Sequence, residues 1–283
     1  MRPRFVNVPL AAALLFLATG APAETPVERG RYLVTTIGAC GNCHSPRDSA
    51  GKPIAGRGLS GGFEFGDPYL GHIVATNITP GIGSWSEAEI VAALRDGKRP
   101  DGTLIRLPMP VPTYRLLSDG DAAAIAAYLK TVKPVRNTVR EGHYKVPLPP
   151  SYGAPIIEVP EPDRRDKVAY GRYLARSIGA CVMCHTPPGG GKSFDMKLAY
   201  FGGRELPDFG HPGALAVSRN ITVGSPHGIG EWSDARIKRA ITQGIREDGS
   251  RLSGTMPFDW YKKMRPADLD AIVAFLRTLK SAE

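Results

Sequence analysis

The chain is poor in several things that would define common protein classes. Its 283 residues contain only four cysteines and three tryptophans. No apolar run reaches the roughly 18–20 residues of a membrane span, which excludes an integral multi-span protein. No block of Lys and Arg stands out, so the net charge of +9 lends no support to nucleic-acid binding. Runs of alternating apolar and polar residues are also missing, which argues against an architecture built on long strands. What is abundant is loop material. The 33 Gly and 26 Pro make up about a fifth of the chain, short of the roughly 25–30% of a disordered low-complexity protein. With 42% hydrophobic residues there is ample material for a core.

Part of the charge belongs to a segment with the form of an export signal. Arg2 and Arg4 precede the mostly apolar stretch Val8 to Ala18, and Ala21-Pro22-Ala23 has the A-x-A form of a cleavage site. Residues 1–23 are therefore expected to be a signal peptide cut after Ala23, delivering a mature chain that begins at Glu24 to the periplasm. The remaining 34 basic and 27 acidic residues give a formal charge of +7.

Four cysteines in an exported protein would ordinarily suggest two disulfides. Their spacing points elsewhere. They occur as Cys40-Gly41-Asn42-Cys43-His44 and Cys181-Val182-Met183-Cys184-His185, two C-x-x-C-H pentapeptides that consume every cysteine. This is the attachment motif of c-type haem. Two thiols add across the porphyrin vinyl groups, the two intervening residues set their separation on one helical turn, and His44 or His185 is carried under the iron as proximal ligand. A structural zinc site would need both cysteine pairs to converge on one metal, and would leave the adjacent histidines unexplained. Two covalently bound haems are the expectation.

The chain is an internal duplication. Gly30-Arg31-Tyr32-Leu33 through Ile37-Gly38-Ala39-Cys40 recurs as Gly171-Arg172-Tyr173-Leu174 through Ile178-Gly179-Ala180-Cys181, offset by 141. Asn77-Ile78-Thr79 recurs as Asn220-Ile221-Thr222. From Trp85-Ser86 and Trp232-Ser233 onward, Asp101-Gly102, Met109-Pro110, Tyr114 and Leu129 match Asp248-Gly249, Met256-Pro257, Tyr261 and Leu276 at an offset of 147. The expected organisation is one haem domain at 24–135, a Pro-rich linker at 136–165 wrapping the interface, and a second haem domain at 166–283. Ile156, Ile157 and Val159 offer the linker apolar contacts.

Within each half the patterns are helical. Val27 to Ala39 and Val168 to Ala180 read as helices entering the pentapeptides. Ser86 and Glu89 form a capping box before Ile90, Ala93 and Leu94, and Gly97 ends that helix. The second half keeps Ser233 but has Arg236 where the box wants an acid. Ile125, Tyr128, Leu129 and Val132, then Ile272, Phe275, Leu276 and Leu279, have helical spacing, with Pro266 in the first turn of the last helix. The fold is expected to be all-α.

Met109 lies between Pro108 and Pro110, and Met256 precedes Pro257. Proline after each Met disfavours helix, and their matched places before the last helix make them the distal-ligand candidates. Trp85 and Trp232 are candidates for the haem edge, with plain core packing as the alternative. Arg57 and Arg204 are weaker candidates for propionate partners. His72, His211, His143 and His227 read as surface imidazoles, the first two being the fallback for bis-His ligation.

These residues carry a resemblance. Each half is similar to a class I cytochrome c: a helix with Gly and an aromatic, C-x-x-C-H, loops, a Met ligand and an aromatic-bearing last helix. In that fold the first and last helices cross, here at Gly30 and Tyr32 with Tyr128, and at Gly171 and Tyr173 with Phe275. The segments Asn77 to Ser86 and Gly97 to Gly102, with the later Met-Pro, resemble the cytochrome c subunits of bacterial membrane-bound alcohol and sugar dehydrogenases. The resemblance implies two tandem class I-type domains that take electrons from a periplasmic dehydrogenase and pass them to a quinone, a terminal oxidase or another cytochrome. Any membrane association would be peripheral, through such a complex, and no catalytic residue of its own is expected. The alternative is a dihaem redox enzyme of the peroxidase or thiosulfate dehydrogenase type. The latter uses an extra cysteine, and no fifth cysteine exists here.

Overall fold

The computed structural model describes residues 23–79, 84–190, 194–211, 213–224 and 227–280. The signal-peptide expectation falls almost wholly outside them. In the first half, helix α1 (Pro26–Tyr32) opens with a capping box between Thr25 and Glu28 and continues into a π-helical turn, Leu33–Ile37. The pentapeptide forms α2 (Cys40–His44), followed by α3 (Glu87–Arg95), α4 (Val111–Tyr114) and α5 (Asp119–Thr131). The second half repeats the order with α6 (Lys167–Arg176), α7 (Cys181–Cys184), α8 (Asp234–Gln243), α9 (Phe258–Tyr261) and α10 (Pro266–Leu276).

Helices dominate, but the all-α expectation needs correction. Antiparallel strands β1 (Glu64–Asp67), β2 (Gly71–Val74) and β3 (His143–Tyr144) make one small sheet, and β4 (Glu205–Pro207) with β5 (Leu215–Val217) makes another. Each strand is two to four residues long, too short for an alternating pattern to rise above loop sequence.

Glycine explains how the first and last helices of each half meet. A Cβ built at Gly30 would lie 1.8 Å from the Ala124 carbonyl oxygen of α5, and one at Gly171 would lie 1.8 Å from the Ala271 carbonyl oxygen of α10. The backbones therefore touch where only hydrogen fits. Around each crossing, Leu33, Val34, Ile37 and Ile125, or Leu174, Ile178, Ile272 and Phe275, are buried. Full burial of a leucine such as Leu33 or Leu174 contributes about 1.5–3 kcal/mol. The two sets form one apolar core that runs through both halves.

Tyrosines cross between the halves. The Tyr32 hydroxyl donates to Asp268 at 2.6 Å, and the Tyr173 hydroxyl donates to Asp121 at 2.7 Å. The pairs are related by the sequence repeat, so the interface has approximate twofold character. The anticipated role of these tyrosines at their own helix crossing is thus extended to the partner half.

The Pro-rich stretch is fixed to the first half rather than to the interface in general. Tyr152 donates to the Ile105 carbonyl at 2.7 Å, the Ile156 amide donates to Asp96, the Asp119 amide donates to the Val159 carbonyl while the Val159 amide donates to Asp119 Oδ1, and Asn137 donates to the Ser60 and Gly61 carbonyls. The expected apolar contact of Ile157 is corrected: it is 95% exposed. Hydrogen bonds to a proline-stiffened chain do the work assigned to that side chain.

Candidate haem-binding site

Each pentapeptide turn is aimed by an unusual backbone conformation. Ala39 (φ 44°) and Ala180 (φ 47°) are left-handed immediately before Cys40 and Cys181. For a residue with a Cβ this costs free energy, and it breaks the incoming helix so that the next turn leaves at a new angle. Cys40 and Cys43, then Cys181 and Cys184, occupy opposite ends of one helical turn.

The histidines are held alike. His44 Nδ1 lies 2.8 Å from the Thr76 carbonyl, and His185 Nδ1 lies 2.7 Å from the Arg219 carbonyl. A carbonyl only accepts, so Nδ1 carries the proton and Nε2 keeps its lone pair for a metal. Burial pushes both imidazoles below their usual pKa, with the carbonyl contact opposing, and a neutral ring is the ligand form.

The Asn-Ile-Thr repeat is the device that presents those carbonyls. Asn77 Oδ1 accepts from the Thr79 amide and hydroxyl, and Asn220 Oδ1 accepts from the same groups of Thr222. Each is an Asx turn beginning one residue after the accepting carbonyl. Gly61 and Gly202 complete the arrangement. Their amides donate to the His44 and His185 carbonyls at 2.7 Å, their φ values are +69° and +74°, and a Cβ at either would lie 2.4 Å from the backbone beside Thr76 or Arg219.

The methionines also share a local pattern. The Met109 amide donates to the Arg106 carbonyl and the Met256 amide to the Ser253 carbonyl, both at 3.2 Å. Their own carbonyls accept from Val111 and Phe258, starting α4 and α9. These short helices end in Tyr114 and Tyr261, whose hydroxyls are pushed well above their usual pKa by burial and then by neighbouring acidic groups: Cys40, Tyr261 and Cys43 for Tyr114, Cys181 and Cys184 for Tyr261. Met109, Met256, Cys40 and Cys181 all pack against the central core while remaining half-buried.

Burial drives the Cys40 thiol up to about 12, Cys43 to about 11 and Cys181 to about 12, and it raises Cys184 as well. Yet all four sulfurs belong to residues that keep solvent access, Cys184 most of all. Such protonated thiols are poor zinc ligands, and among the described residues no three His, Cys, Asp or Glu side chains converge as a metal set. Paired thiols and one histidine with a free Nε2, in each half, fit a covalently attached haem.

Trp85 and Trp232 pack partly buried against the core. Their carbonyls accept from Lys130 and Arg277, again equivalent positions. His72 lies on β2 opposite His143, with Nε2 3.5 Å from Glu64, and His211 sits 3.2 Å from Asp208 with its side chain 81% exposed. Neither belongs to a pentapeptide environment. Arg204 is buried over the Phe194 and Tyr69 rings. Sequence reasoning missed Trp260, whose indole nitrogen would lie 3.2 Å from a Cβ at Gly41, and Arg47, which donates to the Asn42 carbonyl inside the first pentapeptide at 2.7 Å. Neither position is repeated: the counterparts are Thr113 and Pro188.

Residues 168–280 match the family described as Cytochrome c. Along nearly its full length the chain is similar to the cytochrome c subunit of a quinone alcohol dehydrogenase of Gluconacetobacter polyoxogenes, with 31% identity over 95% of this chain and 60% of that protein. It is also similar to the fructose dehydrogenase cytochrome subunit of Gluconobacter japonicus, with 32% identity over 92% of this chain and 54% of that protein. A protein of Cereibacter sphaeroides described as a diheme cytochrome c-type is 28% identical over 87% of this chain and 83% of its own length. The chain thus spans somewhat over half the length of the two dehydrogenase subunits.

Proposed function

From a chain that contains a cytochrome c domain and resembles the cytochrome c subunits of dehydrogenases, we propose a periplasmic dihaem electron carrier or electron-transfer subunit. It takes electrons from a dehydrogenase and delivers them to a quinone, a terminal oxidase or another cytochrome. The observation that carries this reading is the duplicated histidine geometry, with Nδ1 fixed on a backbone carbonyl at 2.8 and 2.7 Å in the two halves.

In this reading Cys40 and Cys43 hold one haem and Cys181 and Cys184 the other, each by two thioether bonds. His44 and His185 are the proximal ligands, and Met109 and Met256 the distal ones. Haem iron supplies one-electron exchange. The residues do the rest. The Thr76 and Arg219 carbonyls orient the imidazoles, the thioethers favour the reduced state, and the shared apolar core keeps water from the interior of both sites. Residues 24–135 and 166–283 are the two haem domains, 136–165 the linker, and 1–23 the export signal cut after Ala23. Association with a membrane is peripheral, through the partner dehydrogenase.

Haem staining and mass spectrometry of protein made in a host with a cytochrome c assembly system test the cofactor. Two covalent haems per chain are expected, and a near-infrared sulfur-to-iron band in the ferric protein. Full-length chain carrying no covalent haem overturns the reading. Copurification from the native host, followed by identification of the attached dehydrogenase, tests the donor.

A further inference from the structure

The first pentapeptide lies against the second half. Asn42 donates to the Thr255 carbonyl at 3.5 Å, Trp260 lies against Gly41, and a Cβ at Gly38 would meet Ile178 at 2.9 Å. The first attachment site thus abuts the Met256 loop of the second half.

Each site has one arginine held among rings drawn from both halves. Arg47 donates to the Asn42 carbonyl (2.7 Å), to Asn42 Oδ1 (2.6 Å) and to the Gly51 carbonyl (2.6 Å), with its guanidinium 4.6 Å from the Phe63 ring, 5.3 Å from Phe209 and 5.9 Å from Trp260. Arg204 lies 4.8 Å from the Phe194 ring and 5.5 Å from Tyr69. Their charge balance differs. Arg204 Nη2 is 3.7 Å from Asp67 Oδ2, and both side chains are nearly inaccessible, at 11% and 3%. Asp67 is held there by the Tyr69 and Leu70 amides, each at 2.8 Å. Among the described residues Arg47 has no carboxylate at ion-pairing distance. Asp259, whose field reaches it, is 66% exposed and paired with Lys262 at 2.7 Å.

We infer that Arg47 and Asp67 are potential-setting residues: an uncompensated cation beside the first site and a neutralised one beside the second make the first-half haem the higher-potential centre, so that electrons pass from the second half to the first. This rests on the dihaem reading. The physical reason is Coulombic. A buried positive charge disfavours the extra charge of ferric iron, and a carboxylate beside the cation cancels most of that effect at low effective dielectric. Each arginine is tied to its site by the chain itself: Arg47 donates to the Asn42 carbonyl within the first pentapeptide, and Arg204 lies two residues after Gly202, whose amide donates to the His185 carbonyl. The transfer balances without a co-reactant: one electron leaves a ferrous iron in the second half and reduces the ferric iron in the first.

The test is spectroelectrochemical titration of the purified holoprotein, after two covalent haems per chain have been counted by mass spectrometry. Two unequal midpoints are expected, with Met109→Ala moving the higher wave and Met256→Ala the lower. Arg47→Gln should lower the higher wave alone, and Arg47→Lys, which keeps the charge, should restore it. Asp67→Asn keeps the acceptor for the Tyr69 and Leu70 amides and should raise the lower wave, narrowing the gap. If Arg47→Gln fails to load haem, Asp67→Asn decides the matter by itself. The inference is overturned if the higher wave moves with Met256→Ala, if Gln and Lys at position 47 act equally, or if Asp67→Asn leaves the lower wave in place. A chain that carries fewer than two haems overturns the dihaem reading instead, and is recognised before any potential is measured.

Discussion

Asp121 and Asp268 hold the same place in the first turns of α5 and α10, and both are buried at 2% and 6% exposure. They are satisfied differently. Asp121 receives two bonds from Arg29, at 2.8 and 2.9 Å, besides the one from Tyr173. Asp268 receives the Tyr32 hydroxyl and has no arginine from its own first helix, because the counterpart of Arg29 is Tyr170. Tyr170 instead sits 3.5 Å from Arg29. The backbone frame was duplicated intact while the charges at the interface diverged. The glycines at the crossings, the Asx turns and the histidine-bearing turns are alike in the two halves, and the ion pairs are not.

The largest test of that equivalence is chemical. Cys40→Ala should weaken or abolish covalent attachment of one haem and leave the other in place, and Cys184→Ala should do the same on the other side, as read by mass spectrometry. Loss of both haems from either change would show that the halves load as one unit. Next in size are the crossings. Gly30→Ala and Gly171→Ala each push a methyl onto a backbone carbonyl that cannot rotate away, so each should destabilise by about 3 kcal/mol, the upper end for overpacking. Denaturant titration should give nearly equal losses, and a twofold difference would break the comparison.

The interface should be unequal. Tyr32→Phe removes the hydroxyl donor to Asp268 and should cost about 2–3 kcal/mol, the scale of a hydrogen bond to a charged group and the desolvation left behind. Tyr173→Phe leaves Asp121 its two bonds from Arg29 and should cost about 1 kcal/mol. Equal losses would mean that Arg29 does not compensate. The smallest contrast is at the helix caps. Ser86→Ala breaks a reciprocal box with Glu89 and should cost about 1 kcal/mol, whereas Ser233→Ala loses only the bond from the Arg236 amide and should cost about 0.5 kcal/mol.

Much of this was legible beforehand because it is local and repeated. The capping box at Ser86 and Glu89, Pro266 at the head of α10, and the apolar positions Ile125, Leu129, Ile272 and Leu276 all appear as the spacing predicts. Gly30 and Gly171 were readable as close-approach residues from their repeat positions. The short strands were not, since two-residue pairings such as His72 with His143 depend on a partner some seventy positions away. Ile157 was misplaced for a similar reason: apolarity alone does not tell which residue of an extended chain faces inward.

The local frame of each candidate site is written in the sequence, because C-x-x-C-H, the later Asn-Ile-Thr and the Met-Pro segment are short motifs whose backbone geometry follows from a few local bonds. How the two sites differ is set by contacts between residues far apart in the chain. Arg47 meets Phe209 and Trp260, Arg204 meets Asp67, and Tyr32 meets Asp268 across separations of about 140 to 240 residues. Electrostatic interaction depends on distance and burial, and neither is written in the order of residues.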